Sequence, residues 1–155
     1  VRSRRQRQMC IRDRQCFTEN PSRVKAIAEL NDHGADISTS GLIEFGEHKR
    51  ATFDISFECT RRSEFEAFGL LGRVKCPVVW QPEDKQAKIT INTESSGLTE
   101  EVVPAANHFI LEINHFNKVI SSDIPLRLTT EDALWNVRTL ESIQQSIQQD
   151  SWVNL

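Results

Sequence analysis

Chemistry in this chain would have to come from a short roster of side chains. His108, Glu112 and His115 form an H-x-x-x-E-x-x-H pattern. On a helix that spacing turns all three toward one side, and imidazole and carboxylate are ordinary divalent-metal ligands. The histidines would stand about 10 Å apart along the axis, too far to share an ion unaided. Amphipathic side chains flanking an apolar stripe are the simpler account, and no metal ligand is assigned. Asp54 and Glu58 lie two residues either side of Ser56. They could pair as acid and base, but alternation along a half-solvated strand explains them better, and Ser56 has no G-x-S-x-G elbow. Cys59 matches His33 or His48 only in residue type. Gly69-Leu70-Leu71-Gly72 is a G-x-x-G with no helix after it, and neither a G-x-G-x-x-G nor a P-loop occurs. A hairpin turn is the better reading. The residues assign no catalytic, cofactor-binding or metal position, and by themselves they name no reaction.

The elements that would carry these residues follow from hydropathy periods. Val24 to Leu30 and Ser38 to Phe45 read as strands, separated by the turn cluster Asn31-Asp32-His33-Gly34. Ala51, Phe53, Ile55 and Phe57 alternate with Thr52, Asp54, Ser56 and Glu58, the period of a strand with one face on a core. Glu64–Leu71 and Arg73–Trp80 are expected to flank a Gly72 turn, with Pro77 at an edge or bulge. Ala87 to Thr93 alternates again, and Leu98 to Val103 extends the series. Two helices follow. Phe109, Ile113, Phe116 and Ile120 make one stripe, stopped by Ser121-Ser122-Asp123 and Pro125. Ala133, Val137, Leu140, Ile143 and Ile147 make the second, with Thr129 as N-cap and Asp132 as its capping-box partner. Trp152-Val153 is expected to return as a short strand. Strands first and helices after imply an α+β class: an open, largely antiparallel sheet with helices packed on one face.

Composition bounds the function. The chain has 155 residues, 38% hydrophobic and 26% charged, with a net charge of -3. This is one domain's worth of ordinary globular sequence. No stretch approaches the roughly 18 apolar residues of a membrane span. The first fourteen residues hold Arg2, Arg4, Arg5, Arg7, Arg12 and Arg14 against Asp13, so the body that follows carries an acidic excess. An acidic body argues against nucleic acid as a partner, because phosphate contacts need clustered Lys and Arg. The four cysteines, Cys10, Cys16, Cys59 and Cys76, form no C-x-x-C. A Cys10–Cys16 or Cys59–Cys76 disulfide is conceivable; free thiols in a cytoplasmic protein are the simpler reading.

The run from Arg4 to Arg14 resembles a recurrent translated sequencing adapter, and the chain opens on Val1. Residues 1–14 are therefore expected to be foreign to the native protein, a solvated basic arm with the natural upstream sequence missing. Residues 15–155 would be the native domain.

Three segments of that body, in series, resemble the C-terminal half of the glucose-fructose oxidoreductase / inositol dehydrogenase (Gfo/Idh/MocA) family. Gly41-Leu42-Ile43-Glu44-Phe45 with Ala51-Thr52-Phe53-Asp54-Ile55-Ser56-Phe57 is similar to its G-x-L-x-F…A-x-F-D-x-S-F hairpin. Glu66 to Val74 is similar to its E-x-x-G-x-x-G strand pair. Asn107-His108-Phe109…Glu112-Ile113…Phe116…Ile120, then Pro125 and Glu131-Asp132-Ala133, is similar to its N-x-[FY]-x-x-E-[IV]-x-x-F…P…E-D-[AS] helices. The resemblance covers about residues 17–155. It implies a two-domain enzyme in which an N-terminal Rossmann domain binds NAD or NADP, while the C-terminal domain shapes the substrate site and mediates oligomerisation. The implied reaction is hydride transfer at a sugar, cyclitol or similar polyol carbon. The family's E-K-P lysine and D-x-x-x-H segment have no counterpart here; both would precede residue 15. The resemblance therefore transfers no catalytic or cofactor residue, and the fragment is expected to be inactive without its Rossmann partner. A stand-alone binding or scaffold domain is the alternative. A homo-oligomer is expected through the sheet, because Phe65, Ala67, Phe68, Leu70, Val78, Val79 and Trp80 supply more apolar surface than one core face needs.

Deleting residues 1–14 is expected to leave thermal stability within about 0.5 kcal/mol, as for surface changes away from packed features. A clear drop in calorimetric melting temperature would show that the arm packs against the body.

Overall fold

The computed structural model describes residues 19–60, 62–79, 86–122 and 124–155. The basic arm, Cys10, Cys16 and Trp80 lie outside the described residues. The chain divides into two compact units, one formed by the segment up to Cys59 together with Arg127–Leu155, the other by Thr60–Leu126.

In the first unit β1 (Arg23–Leu30), β2 (Asp36–Phe45) and β3 (Lys49–Ser56) form an antiparallel meander. The order β3-β2-β1-β8 is completed by β8 (Val153–Asn154), which pairs antiparallel with β1 at Arg23 and Val24. The β1–β2 turn is held by Asn31, whose side-chain oxygen accepts from the backbone N–H groups of His33 and Ala35 at 3.0 and 2.9 Å. This is the Asx-turn geometry that the cluster announces. Alternation then decides the faces. Val24, Ala26, Ile43 and Phe45 are buried, with Ala51 and Phe53 packed beside them. Gly41 faces Phe53 across the strands, and a Cβ there would lie 2.5 Å from the Phe53 ring and 2.9 Å from the Lys25 carbonyl. The glycine lets the ring lie flat on backbone that any side chain would displace.

The helix covering this face is α2 (Thr130–Gln149). Thr129 caps it as the sequence requires: its hydroxyl accepts from the Asp132 N–H at 3.1 Å, and the Thr129 N–H donates to the Asp132 carboxylate at 2.9 Å. Two otherwise orphaned amides are satisfied, and the acidic first turn suits the helix dipole. The helix ends at Asp150, in the left-handed conformation with φ 46°. The buried stripe differs from the expected one. Ile143 is fully buried, with Leu140 and Ile147 beside it, but Val137 and Ala133 are exposed. Their places are taken by Thr139 and Ser146, both fully buried. Thr139 hides its hydroxyl on the Trp135 carbonyl one turn back at 2.7 Å, and small hydroxyl residues can approach a sheet more closely than valine.

The second unit holds the separate sheet β4-β5-β6-β7, built from β4 (Phe65–Gly69), β5 (Gly72–Cys76), β6 (Ala87–Thr93) and β7 (Gly97–Val103). The strands are again antiparallel throughout. Leu70 and Leu71 are the whole β4–β5 turn. Gly72 has φ 151°, and a Cβ there would sit 2.3 Å from the Asn92 carbonyl, so only glycine fits. β5 stops at Cys76, one residue before Pro77, so Val78 and Val79 lie beyond the sheet. The other helix, α1 (His108–Ser122), is capped by Asn107, whose side-chain oxygen accepts from the N–H groups of Phe109 and Ile110. Its apolar stripe is not buried: Phe109, Ile113, Phe116 and Ile120 are all more than half exposed, Ile120 by 70%.

The α+β class with open antiparallel sheets is the observed one. The eight strands among the described residues are shared between two sheets because β4 finds its partner in β5 and not in β3.

Ile143→Ala is expected to cost about 3 kcal/mol in urea unfolding, within the range for emptying a buried aliphatic site. Val137→Ala should stay within about 0.5 kcal/mol. Equal losses at the two positions would restore the stripe that periodicity suggests.

Candidate functional site

The polar groups of the first unit gather on the sheet face opposite α2. Register sets Arg23, Glu44 and Arg50 side by side across β1, β2 and β3. The Glu44 carboxylate receives the Arg23 Nε at 2.5 Å and the Arg50 Nε at 3.2 Å, with only 12% of its side chain exposed. Trp152 lies on Arg23, ring centre to guanidinium 4.5 Å, so the cation is held from two sides. The Arg23 hydrogen bond, reinforced by the positive charges of both arginines, holds the Glu44 carboxyl below the usual carboxylate range and raises Arg23 in turn. Burial opposes both shifts and loses. Further along the same face the Ser40 hydroxyl donates to Asp54 at 2.9 Å. At the sheet edge Lys25 pairs with Asp150, and that hydrogen bond lowers the aspartate.

In the second unit the faces divide by register. Ala67, Val74 and Ile91 lie in one row, while the other face carries Arg73–Glu66 at 3.5 Å and Lys88–Glu100 at 3.0 Å. Around the apolar row is a shallow depression of about 320 Å³, lined by Ala67, Phe68, Leu71, Val74, Ile91 and Thr93 among others. The Thr93 and Ser96 hydroxyls share a hydrogen bond, and the Thr93 oxygen also accepts from the Ser96 N–H at 3.1 Å. Phe68 and Leu71 at the hairpin tip are more than four-fifths exposed, and Leu70 is fully exposed.

The candidates raised by residue type are not brought together. No group of three or more His, Cys, Asp or Glu among the described residues is placed to hold a metal ion. The His108 ring packs on its neighbour Phe109, centroids 4.1 Å apart. Asp54 is engaged by Ser40 across the strands, and the Glu58 N–H turns back onto the Ser56 hydroxyl. His33 and His48 sit in the exposed turns after β1 and β2. Cys59 and Cys76 are free thiols, which removes their disulfide. Gly69 and Gly72 close the β4–β5 hairpin, as the residue reading preferred. The Arg23–Glu44–Arg50 row was not singled out from sequence, because it exists only once the strand register is known.

Among the described residues the arrangement offers an ion-paired row on one sheet and a shallow apolar depression on the other. No family model matches the chain. An uncharacterised oxidoreductase of Rhizobium meliloti is 27% identical over 146 residues, covering 90% of this chain and 43% of that protein. The crystal structure of the aldose-aldose oxidoreductase from Caulobacter crescentus, complexed with glycerol, superimposes with a TM-score of 0.80 at 15% identity, over 96% of this chain and 45% of that one. The 3-ketoreductase of Actinomadura kijaniata, in complex with NADP, gives 0.77 at 20% identity, over 90% and 45%. The chain thus has the fold of one half of such oxidoreductases and spans less than half the length of each relative. No helix among the described residues is long and apolar enough to cross a membrane.

Because the folded-state pKa of Glu44 is lowered, its stabilising contribution is complete above the ordinary carboxylate range. It is lost as pH falls through the lowered value. Glu44→Gln should flatten the acid limb of the stability–pH curve and leave its shape near neutrality unchanged. An unaltered acid limb would mean that the row contributes nothing.

Proposed function

We propose that this chain is the C-terminal half of a NAD(P)-dependent oxidoreductase of the Gfo/Idh/MocA type. In this reading it supplies substrate-site shape and an oligomer interface, and it is inactive alone. The parent would act in the cytoplasm on a sugar, cyclitol or similar polyol. The observation that carries the reading is the sequence similarity to the Rhizobium meliloti oxidoreductase across nearly the whole chain but under half of that protein. The fold likeness to an enzyme complexed with glycerol and to one complexed with NADP supports it.

The division of labour follows from what the chain offers. A dinucleotide pyrophosphate wants the N-terminal amides of a helix after a Gly-rich turn. The G-x-x-G here is followed by β5 instead, and the α1 amides next to Asn107 are already taken by its side chain. Hydride transfer needs a cofactor held against the substrate and a proton-transfer group beside it. Both are assigned to the partner Rossmann domain, and no catalytic, cofactor-binding or metal residue is assigned to this chain. The apolar face of the second sheet, with Phe65 and the Ala67–Val74–Ile91 row, is proposed as the homo-oligomer contact, with Phe68 adding apolar surface on the other face.

Calorimetry of the 155-residue chain with NAD and NADP should show no binding. Micromolar affinity would place the cofactor in this half and overturn the division. The protein expressed from its complete reading frame should reduce NAD or NADP with at least one member of a polyol panel. Dinucleotide binding without turnover of any panel member would keep the fold relationship and remove the substrate class. Absence of a Rossmann segment upstream would favour a stand-alone binding domain. Light scattering at tens of micromolar should show a dimer or larger; a clean monomer at 17.8 kDa would remove the oligomer contact.

A further inference from the structure

We draw no further inference here: the strongest candidate, the exposed apolar stripe of helix α1 along Phe109, Ile113, Phe116 and Ile120, carries nothing because nothing in the structure shows what covers it.

Discussion

A single hydroxyl organises the first unit. β8 pairs with β1 only at Arg23 and Val24, so the Ala26 N–H has no strand beside it although Ala26 is almost fully buried under α2. Left unpaired, such an amide costs on the order of 1–3 kcal/mol. Ser146 resolves the conflict. Its hydroxyl oxygen accepts from the Ala26 N–H at 3.0 Å, and its proton goes to the Ser151 carbonyl at 2.6 Å. The two bonds fix the rotation of α2 over β1, so that Ile143 enters the core beside Val24 and Ile43. They also hold the reversal after Asp150 that brings Val153 onto Val24. Helix, sheet edge and chain end are thus joined by a side chain of two heavy atoms, small enough for the helix to lie close.

Among its described residues the second unit shows no equivalent node. Its sheet is amphipathic, with charged pairs on one face and the Ala67–Val74–Ile91 row on the other, and the α1 stripe remains exposed. The contrast bears on function. The first unit buries its apolar face with its own helix, whereas the second presents apolar surface of the kind that another polypeptide surface covers. That asymmetry is in keeping with the proposed contribution to a larger enzyme, a reading carried by the sequence similarity across under half of a known oxidoreductase.

Most of the secondary structure was legible from periodicity. The bounds of β6 coincide with the alternation from Ala87 to Thr93, Gly72 stands where its turn demands, and the Thr129–Asp132 capping box forms as its spacing requires. Three features were not legible, each for a physical reason. Hydropathy favours Val137 over Thr139 and Ser146 for burial, yet close approach of α2 and the orphaned Ala26 amide select small hydroxyl residues. Strand periodicity says nothing of which strand pairs with which, so it could not divide the strands between two sheets or align Arg23, Glu44 and Arg50. Amphipathicity marks the side of α1 that prefers to be covered, not whether this chain covers it. For the site, residue chemistry assigned no role to His108, Glu112 and His115, because three side chains along one helix need further elements to converge. The functional direction came instead from three motifs in series.

Native-state hydrogen exchange at the Ala26 amide tests the Ser146 bridge most directly. In the unmodified chain this amide should exchange at a rate close to that of its neighbour Val24, through opening of the whole first unit. In Ser146→Ala it should exchange at least tenfold faster while the β2 amides change less. An Ala26 amide that already exchanges like those of exposed turns, or one whose protection survives the loss of the hydroxyl, would contradict the account.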